Sequence, residues 1–318
     1  MKKISKLFSF LLVLFVFVGL VGCNITLTPR TPDPEPDPEN MDIATAAEFE
    51  TFLKNGSSTG KLTASFNVNT TSVVPSGKEK ILNLNGKTVT YTSNATGAVI
   101  KVMGKLTIID TSSTTLSEQG KLANTLNNGG AYAVYVDKGS NYIGNVIIND
   151  GQYESVGGAT CLCVKGTATV TSGMFLGGTG VYVDSTGIVE KISGDISADE
   201  FAIYNNGRIK LISNLNAGYE VFSEEIDLIA ALFNDGTIDE IKNATFSASG
   251  TKELYGLYNA THGTIGRFYN VVFDAMNTSG NTTNCFNWNR NVTGMPAASF
   301  EGATFSPARL DSATGLED

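Results

Sequence analysis

The 318-residue chain has one histidine, one tryptophan and four cysteines, and only 17% of its residues are charged. A single histidine, His262, rules out a multi-histidine metal centre and leaves little for imidazole-based acid–base work. No Gly-x-Ser-x-Gly surrounds a serine, and no glycine-rich loop opens a helix, so nucleophile-elbow and phosphate-loop chemistry have no foothold. Basic residues are also scarce: 22 Lys and Arg stand against 31 Asp and Glu, for a formal charge of −9. Setting aside Lys2, Lys3 and Lys6 in the opening stretch leaves 19 against 31, near −12. Such a chain lacks the basic face that nucleic acid or anionic lipid headgroups require. What the chain has instead is 34 glycines and an ordinary 42% hydrophobic fraction, enough to bury a core and to argue against disorder of the whole chain.

Met1 to Cys23 reads MKKISKLFSFLLVLFVFVGLVGC. A lysine-rich start is followed by an apolar run from Leu7 to Gly22. That run is shorter than the roughly 20 residues of a spanning helix and matches the h-region of an export signal. It closes on Leu20-Val21-Gly22-Cys23, which resembles the lipobox of bacterial lipoproteins. The resemblance implies removal of residues 1–22 and acylation of Cys23, hence an exported protein lipid-anchored to the cell membrane or outer membrane. Two or three acyl chains hold a protein where one does so only marginally. Residues 23–41 then form a linker. Five of the eight prolines fall between Thr28 and Glu39, and alternation of proline with acid keeps such a segment extended.

The remaining cysteines, Cys161, Cys163 and Cys285, are odd in number and argue against a disulfide framework. Cys161 and Cys163 fall in a strand-like run and read as core thiols. A Cys-x-Cys metal site would need two further ligands, and His262 is about a hundred residues away. Neither a metal nor any other cofactor is expected.

Residues 42–56 read as one short amphipathic helix. Thr45 and Glu48 form a capping box, Phe49, Phe52 and Leu53 an apolar stripe, and Gly56 a stop. Downstream the chain reads as short strands and turns, and within them two elements repeat. The first is small–aliphatic–aromatic: Ala133-Val134-Tyr135, Cys161-Leu162-Cys163, Gly180-Val181-Tyr182, Ala202-Ile203-Tyr204, Ala231-Leu232-Phe233, Gly256-Leu257-Tyr258 and Cys285-Phe286-Asn287. Its aliphatic positions are 28, 19, 22, 29, 25 and 29 residues apart. The second is Gly-x-Ile/Val, two residues, an apolar, any residue, Gly or Asn, two residues, an apolar. It reads GRIKLISNLNA from Gly207, GTIDEIKNATF from Gly236 and GTIGRFYNVVF from Gly263. Looser copies start at Gly166, Gly187 and Gly294.

A unit of this length with no helix cannot bury its own apolar face, whereas stacked units can. Period-2 alternation points Val134, Leu162, Val181, Ile203, Leu232, Leu257 and Phe286 into one inner ladder. Two positions on, Asn205, Asn234 and Asn259 align as an asparagine ladder. Tyr135, Tyr182, Tyr204, Phe233 and Tyr258 align on the opposite side. With the stretch from Ile81, ILNLNGKTVTYTSNATGAVIKVMGKLTIID, this pattern resembles the pectate-lyase-like right-handed parallel β-helix superfamily. The resemblance spans residues 42 to about 306. It implies one all-β solenoid domain over 42–318, of about nine rungs, with the N-terminal helix capping its open end.

That fold serves lyases, hydrolases, adhesins and stalks alike, so function must come from residues. Arg208-Ile209-Lys210 and His262-Gly263 echo motifs of polygalacturonase-like hydrolases. They stand in reversed order, however, without Asp-Asp or Asn-Thr-Asp, and Arg208-Ile209-Lys210 belongs to the repeat. Asp137, Lys165 and Asp184 take equivalent places in successive rungs, followed by Asn206 and Asp235. As a calcium and base constellation they would suit a lyase; as alternating charges at a turn they are structural. Outward aromatics near the C-terminal rungs, Trp288 and Tyr269 with Tyr219 and Phe222, are candidates for sugar contact. The expected role is non-catalytic display, with carbohydrate or a cell-surface ligand as partner. The alternative is a polysaccharide lyase or glycoside hydrolase.

Overall fold

The computed structural model describes residues 40–112, 115–220, 228–250, 253–277, 286–288, 300–301 and 304–306. Leu20, Val21, Gly22 and Cys23, the proline-rich linker up to residue 39, and Phe222, Cys285 and Gly294 lie outside these residues.

The chain winds as a parallel β-helix in which each coil contributes three strands to three faces. On the first face Leu106, Val146, Ala168, Val189, Ile209, Ile238 and Ile265 follow one another in register, all buried. On the second the buried column is Leu122, Tyr153, Phe175, Ile196, Ala217, Phe246 and Phe273. The third carries the ladder expected from the repeat: Val134, Leu162, Val181, Ile203, Leu232, Leu257 and Phe286 pair in that order. Nine strands build this third face, from Ser72–Val74 to Phe286–Trp288. That number matches the expected rungs, and the last described strand is Thr304–Ser306, in register with Val272–Asp274.

Each corner has a chemical reason. Between the first and second faces one residue per coil must adopt a left-handed backbone, filled by Gly151, Gly173 and Gly194 and then by Asn214, Asn243 and Asn270, with φ from 48° to 129°. Only glycine, and asparagine at modest cost, enters this region readily. This is the Gly/Asn position of the second repeat element. At the corner leading into the third face sits the small residue of the first element. A Cβ added at Gly180 would lie 2.2 Å from Ile196 Cγ2, so that coil requires glycine, while the same place in other coils holds the small side chains of Ala133, Cys161 and Ala202. Cys161 is one of these, fully buried, its thiol donating to the Leu176 carbonyl at 3.1 Å.

The first coil is closed by the helix α1, Ala46–Lys54, with the Thr45–Glu48 capping box formed on both sides. Phe49, Phe52 and Leu53 are buried over the coil end. Beneath them Lys80 occupies an inward position where later coils place Leu106 and Val146. Its ammonium donates to the carbonyls of Gly56 and Ser57 at 2.6 and 2.8 Å and lies 5.3 Å from the Phe52 ring. It thereby satisfies acceptors just past the helix C-terminus. Burial lowers its pKa. Beyond α1 the only other described helical turn is a 3-10 turn at Leu116–Glu118. One further departure from the repeat is an antiparallel hairpin, Lys138–Gly139 with Tyr142–Ile143, inserted between the third face and the next coil.

Candidate functional site

The outer surface of the third face carries two neighbouring columns. One runs Lys101, Tyr135, Cys163, Tyr182, Tyr204, Phe233, Tyr258. The other, three residues earlier in each strand, runs Tyr132, Thr160, Thr179, Phe201, Ala230, Tyr255. In a flat strand residues three apart point to opposite faces. Here the bend at the small residue buries two consecutive side chains, Ala133 with Val134 and Ala202 with Ile203, and brings the two columns side by side, with Tyr132 and Phe201 half-buried and Tyr255 buried.

The result is an aromatic ridge. Tyr182 to Tyr204 measures 5.5 Å between ring centroids, Tyr204 to Phe233 4.4 Å, and Phe233 to Tyr258 5.3 Å at an interplanar angle of 5°. Phe201 and Tyr255 join edge-on. Because the rings stack on each other along the coil axis, their faces are mutually covered and the ridge offers ring edges and tyrosine hydroxyls outward. Tyr182, Tyr204, Phe233 and Tyr258 are half-buried. Cys163, buried, interrupts the ridge and separates it from the stacked pair Tyr132 and Tyr135. Burial raises the Tyr132 hydroxyl to about 12; Tyr135 rises further, from burial and then the Asp137 charge.

Beside the ridge runs the charged column read from the sequence. Asp137, Lys165 and Asp184 occupy equivalent turn positions of successive coils, each following residues paired in register. The structure aligns them in one column, and each engages partners close to hand. Asp137 is buried, and its carboxylate accepts from Tyr142 at 2.5 Å and Tyr135 at 3.2 Å and pairs with Lys101 at 2.9 Å. Burial would raise its pKa, but the hydrogen bonds from Tyr142 and Lys101 outweigh it and hold the group below the ordinary carboxylate range. The Lys165 ammonium sits 5.8 Å from the Tyr135 ring, and that of Lys101 5.6 Å from it. Asp184 accepts from the Thr186 backbone N–H at 3.2 Å within its own turn, as aspartates at turns do. Further along, Asp235 accepts from the His262 backbone N–H at 3.0 Å, and its Oδ1 lies 3.1 Å from His262 Nδ1. Among the described residues no three His, Cys, Asp or Glu side chains stand together as a metal-holding group.

Trp288 and Tyr269 are placed apart. Trp288 lies on the third face, in register with Asn259. Tyr269 is exposed at the end of the first face, in register with Lys242. Tyr219 belongs to the second face, opposite Ala248. The aromatics of the second column, unnoticed in the sequence, are Tyr132, Phe201 and Tyr255. Their signal was present as aromatic–small–aliphatic–aromatic: Tyr132 to Tyr135, Phe201 to Tyr204, Tyr255 to Tyr258.

Fold and surface together define a parallel β-helix protein with an aromatic outer ridge. Searches against family models, curated proteins and solved structures find no match to this chain.

Proposed function

We propose that this chain is a lipid-anchored cell-envelope protein whose β-helix is a non-catalytic adhesion and glycan-contact surface. The observation that carries the contact reading is the ridge from Tyr182 to Tyr258. It is an unbroken run of half-exposed rings with hydroxyls at its rim, bordered by Asp184, Asn206 and Asp235. Extended polymers with alternating apolar and hydroxylated surfaces suit such a strip, because contact repeats from coil to coil. The anchor rests on Leu20-Val21-Gly22-Cys23 and its resemblance to the lipobox. The likeness to pectate-lyase-like β-helices rests on the coil pattern alone. A lyase reading would need Asp137 or Asp184 to act on substrate; Asp137 is buried against Tyr142, Tyr135 and Lys101, and Asp184 accepts from Thr186 within its own turn.

Two experiments test this reading. Metabolic labelling with palmitate should mark the wild-type chain and not Cys23→Ala; label retained by Cys23→Ala refutes the anchor. On a glycan array the full chain should bind a subset of polysaccharides, with binding reduced in Tyr204→Ser and Phe233→Ser. Turnover of any bound polysaccharide by the wild type would overturn the non-catalytic reading.

A further inference from the structure

The ridge between Tyr182 and Tyr258 is edged by acids on both sides, and their placement is staggered. On one edge the residues that follow the third-face strands are Asp184, Asn206 and Asp235. They come directly after Val183, Asn205 and Asn234, which pair in register. Neighbouring coils are about 4.8 Å apart, so the two aspartates stand about 10 Å apart along the axis with a neutral amide between them. The middle coil carries its acids on the other edge, where Asp199 and Glu200 stand directly before Phe201. Ala198 pairs with Gly177 and Phe201 with Thr179, so two acids face the single Gly178 and bulge at this corner.

None of the four has a lysine or arginine of its own. Among the described residues no such ion pair reaches Asp184, Asp199, Glu200 or Asp235. On the first face, by contrast, Glu190, Asp239 and Glu240 are each paired with a lysine or arginine. Asp184 accepts from Thr186 in its own turn, and Asp235 accepts from the His262 backbone N–H and lies against its ring. These bonds orient the carboxylates without a permanent counter-charge. Lys165, one coil before Asp184, has its ammonium 5.8 Å from the Tyr135 ring. Asp199 and Glu200 are half-buried. Burial raises the pKa of both, and at Glu200 the Asp199 charge adds to it; a cation at this edge would offset that cost.

We infer that the ridge takes an amine-bearing glycan, an extended β-1,4-linked chain of glucosamine-type units whose ammonium groups meet these staggered acids. Such a chain turns over by half a revolution at each unit, so consecutive ammonium groups face opposite edges. Every second one returns to the same edge, and the two-unit repeat is close to the separation of Asp184 and Asp235. Those two aspartates take alternate ammonium groups, and Asp199 with Glu200 takes the one between. The hydroxyls of Tyr182, Tyr204 and Tyr258 meet those of the sugar. A carboxylated polymer would be repelled along both edges. This deepens the glycan-contact reading of the ridge and rests on it.

Calorimetric titration of the full chain in detergent tests the assignment, with the β-1,4-linked glucosamine hexamer, its N-acetylated form and the corresponding glucose hexamer, below the pKa of the amine. The glucosamine hexamer should bind roughly 10-fold more tightly than either neutral one, and added salt should weaken it alone. Asp184→Asn with Asp235→Asn should remove about 10-fold of its affinity, and Asp199→Asn with Glu200→Gln a similar amount. Asp195→Asn, on the second face, should change nothing. Thermal unfolding of each variant checks that the coils remain intact. Equal affinity for the glucosamine and N-acetylated hexamers, or unchanged binding in both double variants, overturns the assignment. So does a lysine hexapeptide that binds as tightly, since the ridge would then read charge and not sugar. Neutral hexamers that bind as well as glucosamine and are lost in Tyr204→Ser leave the ridge standing and remove only the amine preference. Glucosamine binding that survives Tyr204→Ser and Phe233→Ser removes the ridge and this assignment together.

Discussion

Asn205 and Asn234, both wholly buried, are joined by a side-chain amide hydrogen bond of 2.7 Å, and Asn234 repeats it to Asn259 at 2.6 Å. They continue an inward column that earlier coils fill with Val102, Val136, Val164 and Val183. Asn234→Leu removes the middle link and strands a donor on Asn205 and an acceptor on Asn259. The cost should be about 2–4 kcal/mol, read as an earlier urea midpoint with unchanged slope. Replacing all three asparagines by valine should recover part of that loss, because no amide is then left unmatched within the ladder. An unshifted midpoint for Asn234→Leu would show that the ladder adds nothing to stability.

Asn243 holds φ at 48° at the corner where earlier coils place Gly151, Gly173 and Gly194. Asn243→Gly and Asn243→Ala both lose the 2.9 Å hydrogen bond from Asn270. Their difference therefore isolates backbone strain. Alanine should be the less stable of the two by about 1 kcal/mol, measurable by thermal unfolding. Equal melting temperatures would mean that the corner relaxes away from the left-handed region.

Asp137 is held below the ordinary carboxylate range by Tyr142, Lys101 and the Lys138 backbone. A carboxylate with a depressed folded-state pKa contributes stability that is present above its unfolded value and is lost as pH falls through the folded one. Wild-type stability should therefore decline as pH drops below about 4, the unfolded aspartate value. Asp137→Asn, which keeps the shape without the charge, should lack this increment. Parallel pH profiles for the two proteins would refute the assignment.

Cys161 and Cys163 are buried and unpaired, and burial raises both thiols to about 12. Thiolate is the reactive form, so neither should react with iodoacetamide at pH 8 in the folded protein. Peptide mapping should find both modified only after denaturation. Rapid labelling of either in the native state would mean that the third face opens.

The inner ladder of the third face, the asparagine ladder and the capping box were legible residue by residue. Each follows from a period that local sequence carries: two for strands, three to four for the helix. The ridge was half legible. Its Tyr135–Tyr258 column followed from the repeat, whereas Tyr132, Phe201 and Tyr255 did not, since strict alternation assigns residues three apart to opposite faces. The alignment of Asp137, Lys165 and Asp184 follows from the repeat, but the partners of its members were not visible. Lys101 is 36 residues from Asp137, and Tyr142 lies on an insertion outside the repeat.

The sequence by itself determined that strands stack in coils and which side chains point inward. Both are nearest-neighbour properties of a repeating chain, where each coil meets only the next. The tertiary structure alone decided where the chain bends and what the insertion covers. A corner at a small residue puts two aromatic columns on one surface, and a hairpin pinned by a buried carboxylate overhangs two plain turns. Both depend on side chains meeting across coils at separations that no local period encodes.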